Sequence, residues 1–209
     1  MESSVFTTPP IDYYNNIFSC LVTFWASQFL NARYIWVWSA SSFRPGYSSF
    51  KDLVFLHLDN CPRLIHVLPL YTSNVDGCCR LVTLEIMCCG DLREVFPRNS
   101  DSEQQEPREF PRLKHIHLYE LPKLQRICGR RMFAPNLETV KIRGCWSLRH
   151  LPAVRPRSSS TPPPEVDCEK EWWACLQWDW EEASHHPSLY KPSHSKYYKK
   201  TQLRGSVLR

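Results

Sequence analysis

The sequence predicts an α/β solenoid with a curved parallel sheet on its concave side, an irregular or short-helical convex side, and an extended C-terminal tail. The first observation behind this is a spacing. Leu53, Leu56, Leu58, Cys61 and Leu64 fall at offsets 0, 3, 5, 8 and 11. The same offsets return at Leu81, Leu84, Ile86, Cys89 and Leu92, and at Leu113, Ile116, Leu118, Leu121 and Leu124. They return again at Leu137, Val140, Ile142, Cys145 and Leu148. This is the leucine-rich-repeat template L-x-x-L-x-L-x-x-N/C-x-x-L, one short strand and a turn per unit. The second observation is that the register runs past the template. Phe18, Phe50, Cys78, Phe110 and Ala134 stand at offset −3. Offsets 14 and 15 hold Ile35-Trp36, Val67-Leu68, Val95-Phe96 and Ile127-Cys128, with Leu151 at offset 14 of the last unit. One unit cannot bury its own apolar face, so the units must stack.

Taken in order, residues 1–16 read as an irregular lead-in containing Pro9 and Pro10. The solenoid spans 17–152, and the extended register exposes a degenerate first unit made of Leu21, Phe24, Ala26, Phe29 and Ala32. Units start at 21, 53, 81, 113 and 137, separated by 32, 28, 32 and 24 residues. That irregularity predicts variable convex loops, of which the acid-rich stretch 98–109 is one. At offset 8 the small Cys61, Cys89 and Cys145 turn the chain inward, and their thiols are expected to donate weakly to backbone carbonyls of a neighbouring unit. Residues 153–164, with three serines and Pro162-Pro163-Pro164, read as a linker. Residues 165–209 are tryptophan-rich and acidic at first, then basic, which fits a cap over the apolar edge of the last repeat.

Composition narrows the class further. With 209 residues, 43% hydrophobic and 22% charged, the chain is long and apolar enough for one domain with tails. A net charge of +5 does not by itself require a nucleic-acid partner. Met1-Glu2-Ser3-Ser4 lacks a basic segment leading into an apolar run, and no asparagine lies in N-x-[ST]. Both favour a reducing cytoplasmic, or nucleocytoplasmic, setting with free thiols among the ten cysteines. The uncharged stretch 13–32 approaches bilayer length, but Asn15, Asn16, Gln28 and Asn31 interrupt it, so no membrane span is expected.

Reaction chemistry is hard to find. No glycine precedes a lysine, so a phosphate-cradling G-x-x-x-x-G-K-[ST] loop is absent. Cys78-Cys79, Cys88-Cys89 and His185-His186 are adjacent pairs rather than the C-x2-C or H-x3-H spacing of structural zinc. No serine or cysteine sits in a nucleophile motif. The expectation is a non-enzyme without metal, cofactor or small-molecule substrate. Tyr190, Tyr197, Tyr198, Lys199 and Lys200 pair lysines with rings, the chemistry of nucleic-acid contact, but the segment is short and offset by the acids before it. Nucleic-acid binding through 191–209 is therefore an alternative, not the favoured reading.

Function is expected on the strands. Alternate strand residues face outward, so offsets 2, 4 and 6 form columns on the concave sheet. Those columns supply the candidate partner-binding residues Trp25, Phe55, His57, Asp59, Glu85, Met87, His115, His117, Tyr119, Lys141 and Arg143. Aromatic anchors and arginine are what protein recognition uses. His57 and His117 flank Glu85, so binding there is expected to change near pH 6 to 7, within about a unit of the free histidine value.

Three stretches carry a resemblance. Residues 50–64 (FKDLVFLHLDNCPRL), 89–97 (CGDLREVFP) and 110–124 (FPRLKHIHLYELPKL) resemble the C-terminal repeats of plant nucleotide-binding leucine-rich-repeat disease resistance proteins. The tail, with Trp172-Trp173, Trp178-Asp179, His186, Pro192 to Ser195 and Tyr197-Tyr198-Lys199, is similar to the ends of cereal-type members. The resemblance covers roughly 18–209 and implies recognition of a pathogen effector or guarded host protein. In a full-length receptor it also implies contact with the receptor's own nucleotide-binding module. The sequence given contains no such module, so a truncated receptor fragment or a stand-alone repeat adaptor are the alternatives.

Overall fold

A computed structural model describes residues 4–7, 20–37, 50–68, 79–97, 108–129, 131–156, 162–178 and 184–195. In chain order its strands are β1 (Ser4–Thr7), β2 (Thr23–Ser27), β3 (Tyr34–Val37), β4 (Phe55–Asp59), β5 (Thr83–Met87) and β6 (Glu94–Phe96). They continue as β7 (Arg108–Glu109), β8 (His115–Tyr119), β9 (Arg126–Cys128), β10 (Met132–Phe133), β11 (Thr139–Arg143), β12 (Glu165–Asp167) and β13 (Lys191–Ser193). The helix α1 (Lys170–Ala174) lies between the last two.

Seven of these strands make one parallel sheet in the order β2-β4-β5-β8-β11-β12-β13. The pairing is in register with the repeat: Phe24, Leu56, Leu84, Ile116, Val140, Val166 and Pro192 lie side by side. Strand alternation sends this row inward, with Leu56, Leu84, Ile116, Val140 and Val166 each 0% exposed, while Pro192 on the edge strand is exposed. The positions outside the strand fill the same interior. Phe50, Phe110 and Ala134 at offset −3 are buried, as are Ile35, Val67, Leu68, Val95, Phe96, Ile127 and Leu151 on the far wall. Of the positions expected there, Phe18 and Cys78 lie outside the described residues.

A backbone device repeats with the sequence. Gln28, Asn60, Cys88, Glu120 and Gly144, all at offset 7, have φ between 51° and 67°. This left-handed residue ends the strand and turns the chain, freeing its N–H to reach the next coil. Gln28, Asn60, Cys88 and Glu120 each donate to the carbonyl at offset 6 of the following unit, at 2.9 to 3.0 Å. Behind the turn, Cys145 Sγ approaches Leu118 O of the preceding unit at 3.6 Å, as expected, whereas Cys89 Sγ donates within its own unit, to Met87 O at 3.2 Å. Burial pushes the Cys145 thiol up to about 12. No disulfide joins the described cysteines to one another.

The convex wall is irregular, as expected, but strands rather than helical turns punctuate it. β1 pairs with β3, β6 with β9 and β7 with β10, all parallel. Stacked coil on coil, these convex segments pair with one another in register instead of closing helical turns. Helix among the described residues is confined to α1 and a single 3-10 turn at Pro187–Leu189.

The sheet also runs on past Pro152, where the sequence reading ended the solenoid. β12 and β13 extend it by two strands, so 165–195 contributes coils as well as a lid. The template misses them because Val166 and Cys168 alone carry its apolar spacing and no leucine does. Under them, Trp172 of α1 is fully buried, and its indole N–H is shared between Cys145 O and Leu148 O, each at 3.0 Å. The acid-rich insertion at 98–107, the serines at 158–160, Trp180 and the basic residues 196–209 lie outside the described residues.

Candidate functional site

The concave face is built from side chains that alternate with the buried row. At offset 4 the register places Trp25, His57, Glu85, His117, Lys141, Asp167 and Ser193 in one line across the sheet. At offset 2 the line is Thr23, Phe55, Thr83, His115, Thr139, Glu165 and Lys191. Offset 6 adds Ser27, Asp59, Met87, Tyr119 and Arg143. All eleven candidate residues therefore share one surface, but they are not equally available.

Its N-terminal part is aromatic. Trp25 is 65% exposed, and its ring lies 4.1 Å from that of His57 and 6.2 Å from that of Phe55. This covers His57, which is only 5% exposed, while Asp59 at 6% sits beneath Ser27 and accepts its hydroxyl at 3.4 Å. Both were expected as open contact residues; the edge strand instead folds its side chains over them. His57 turns to Glu85, Nδ1 to Oε2 at 3.2 Å. That hydrogen bond is the leading reason the Glu85 carboxyl is held below its usual range, with the charges of His117 and Lys141 acting the same way. His117 moves down because burial disfavours its cation more than Glu85 favours it. His115 is fixed by Thr139, Nδ1 to Oγ1 at 2.9 Å.

The C-terminal part is charged and largely self-engaged. Arg143 donates to Asp167 Oδ1 at 2.8 Å and to Ser195 Oγ at 3.1 Å, while Ser195 Oγ–H donates to Asp167 Oδ2 at 2.6 Å. Burial opposes ionisation of Asp167, yet the Ser195 hydroxyl and amide and the Arg143 guanidinium still hold its carboxyl low. Arg143 thus clamps the tail to the sheet, whereas Lys141 stays exposed. The sequence reading missed that Glu165, Asp167, Lys191 and Ser193 continue the face. The alternation Glu165-Val166-Asp167-Cys168 was the available signal. Among the described residues no group of three or more His, Cys, Asp or Glu is placed to hold a metal, and no helix is long and apolar enough to cross a membrane.

A parallel sheet stacked coil on coil on this repeated spacing defines a leucine-rich-repeat solenoid. Residues 30–154 match the family described as plant disease resistance protein RPS2-like leucine-rich repeats. The chain belongs to that family. It is also similar to the probable disease resistance protein At5g63020 of Arabidopsis thaliana, 28% identical over 132 residues, or 62% of this chain. That match spans 14% of the length of the curated relative. No solved structure matches.

Proposed function

We propose that this chain is the protein-recognition part of a plant disease resistance protein, acting in defence by engaging a pathogen effector or a guarded host protein on its concave sheet. It works without catalysis, and inside the cell. The observation that carries the reading is the contiguous offset-4 row, in which Trp25 stands open beside Phe55 while Lys141 stands open further along. An exposed tryptophan braced by other rings is a typical hot-spot anchor, and separated charges orient a partner around it. Within a longer receptor, the same face or its flank would meet the receptor's own nucleotide-binding module.

The test is co-precipitation of candidate effectors with the intact chain and with a Trp25→Ala, Tyr119→Ala, Lys141→Ala variant. The variant is expected to recover at least tenfold less partner at unchanged folding. Equal recovery would move recognition off the concave sheet. His117 lies beside Glu85 on this face and burial disfavours its cation, so partner affinity is expected to change with pH below 6.5, readable in the same assay.

A further inference from the structure

Away from the concave sheet, the turns that leave it carry one cation per unit through four consecutive units. Arg33 and Arg93 occupy offset 12 of the first and third units, and Arg63 and Lys123 occupy offset 10 of the second and fourth. Together with Ile65 and Asp91 they line an open cavity of about 380 Å³. The backbone fixes the arrangement: Ile65 N–H donates to Arg33 O at 2.9 Å and Arg93 N–H to Ile65 O at 3.0 Å. Arg33 and Arg93 therefore flank Ile65, and with units about 4.8 Å apart the row from Arg33 to Lys123 runs over roughly 14 Å along the cavity.

Only one of these cations is neutralised. Lys123 Nζ meets Asp91 Oδ1 at 2.7 Å, and that contact leads in holding the Asp91 carboxyl below its usual range, helped by the charges of Arg93 and Arg63. The guanidiniums of Arg33, Arg63 and Arg93 have no hydrogen-bond or ion-pair partner among the described residues. Three unpaired guanidiniums around one concavity repel each other until an anion joins them. Their planar forks match phosphate oxygens two at a time.

We infer that this cavity is a binding site for a small, multiply charged phosphate-bearing anion, separate from the concave face. Its volume is at the low end for small-ligand pockets, which favours a compact polyphosphate over an extended acidic chain. Asp91 keeps the Lys123 ammonium at the rim, so a ligand must bring more than a single charge to compete for it.

Calorimetric titration of the intact chain with pyrophosphate and with inorganic phosphate tests this. Pyrophosphate should bind more tightly than phosphate. Its affinity should fall at least tenfold in Arg63→Ala, Arg93→Ala and weaken several-fold between 50 and 200 mM salt, roughly as released counterions require. Both arginines are exposed, so the variant should keep the wild-type denaturation midpoint. Lys170→Ala, on the tail helix, should bind as the wild type does. Equal pyrophosphate affinity in the arginine variant, an equal loss in Lys170→Ala, or no pyrophosphate binding by the intact chain would each overturn the assignment.

Discussion

The two ends of the sheet solve the same problem differently. Any stack of coils leaves an apolar cross-section and a strand edge at each end. At the C-terminal end, β13 closes the sheet with Pro192, which sits where a free N–H would otherwise point outward; Lys191 and Ser193 supply the bonds back to β12. Trp172 fills the cross-section, Tyr190 donates to Pro152 O, and Trp178 packs against Trp173, His185 and Tyr190 with ring centroids 5.3 to 5.5 Å apart. At the N-terminal end, β2 keeps the repeat's own residues. Leu21, Phe24 and Phe29 are half-buried there, and Val22, Trp25 and Leu30 are more than half exposed. Among the described residues the segment that abandons the template packs its rings inward, whereas the first unit, with β1 beside β3, leaves Val22, Trp25 and Leu30 open.

The sharpest way to break this contrast is to delete the largest buried side chain at one end and the largest exposed one at the other. Trp172→Ala removes a fully buried indole and its two backbone hydrogen bonds, with an expected loss of about 3–5 kcal/mol in denaturant titration. Trp25→Ala is expected to cost only about 0.5 kcal/mol. Similar losses for the two would mean that the ends are equivalent.

Hydrogen exchange should resolve the same asymmetry within one molecule. In a quasi-one-dimensional stack the weak end opens first, so amides of β2 should exchange fastest among the sheet strands, with β8 and β11 slowest. Uniform protection from β2 to β12 would contradict the proposed difference.

How far the sequence revealed this molecule follows the same division. The middle units were legible down to single positions, because one buried row at fixed offsets leaves leucine, isoleucine or valine few substitutes. Leu113 to Leu151 all fell where the spacing put them. The two added strands escaped because β12 and β13 hold Val166 and Pro192 where the template asks for leucine, and their packing comes from distant rings such as Trp172. The face was legible as a surface but not as a set of free side chains. No spacing says that Trp25 lies over His57, or that Arg143 is taken by Asp167 and Ser195, since those contacts join units 24 to 52 residues apart. Offset 7 carried no signal either, for Gln28, Asn60, Cys88, Glu120 and Gly144 share a backbone conformation and no side-chain chemistry.

That last series supplies a smaller test, next to the closed end. Gly144 has φ +67°, and a Cβ there would lie 3.0 Å from the Glu120 carboxylate, while its N–H donates to Glu169 Oε1 at 2.9 Å. Gly144→Ala should therefore cost about 1–2 kcal/mol from the left-handed backbone alone. Adding Glu120→Ala should recover whatever part comes from the crowding. A neutral Gly144→Ala would show that the joint between the last full repeat and its cap tolerates slack.

Acid gives the smallest effect and the most distributed one. His66, His117 and His150 all move below 6.5 because burial disfavours their cations. Below that pH the unfolded chain binds protons that the folded chain refuses, so stability falls as pH falls from about 6.5, and Glu85 adds to the loss below its ordinary 4.5. The three histidines belong to the second, fourth and fifth units, so acid should lower the denaturation midpoint without changing which end opens first. His117→Gln should flatten the slope between pH 7 and 5. If exchange below pH 3.8, where Asp167 starts to lose its charge, instead showed β12 opening before β2, the closed end would owe its strength to the Asp167–Arg143 pair rather than to the packing of Trp172.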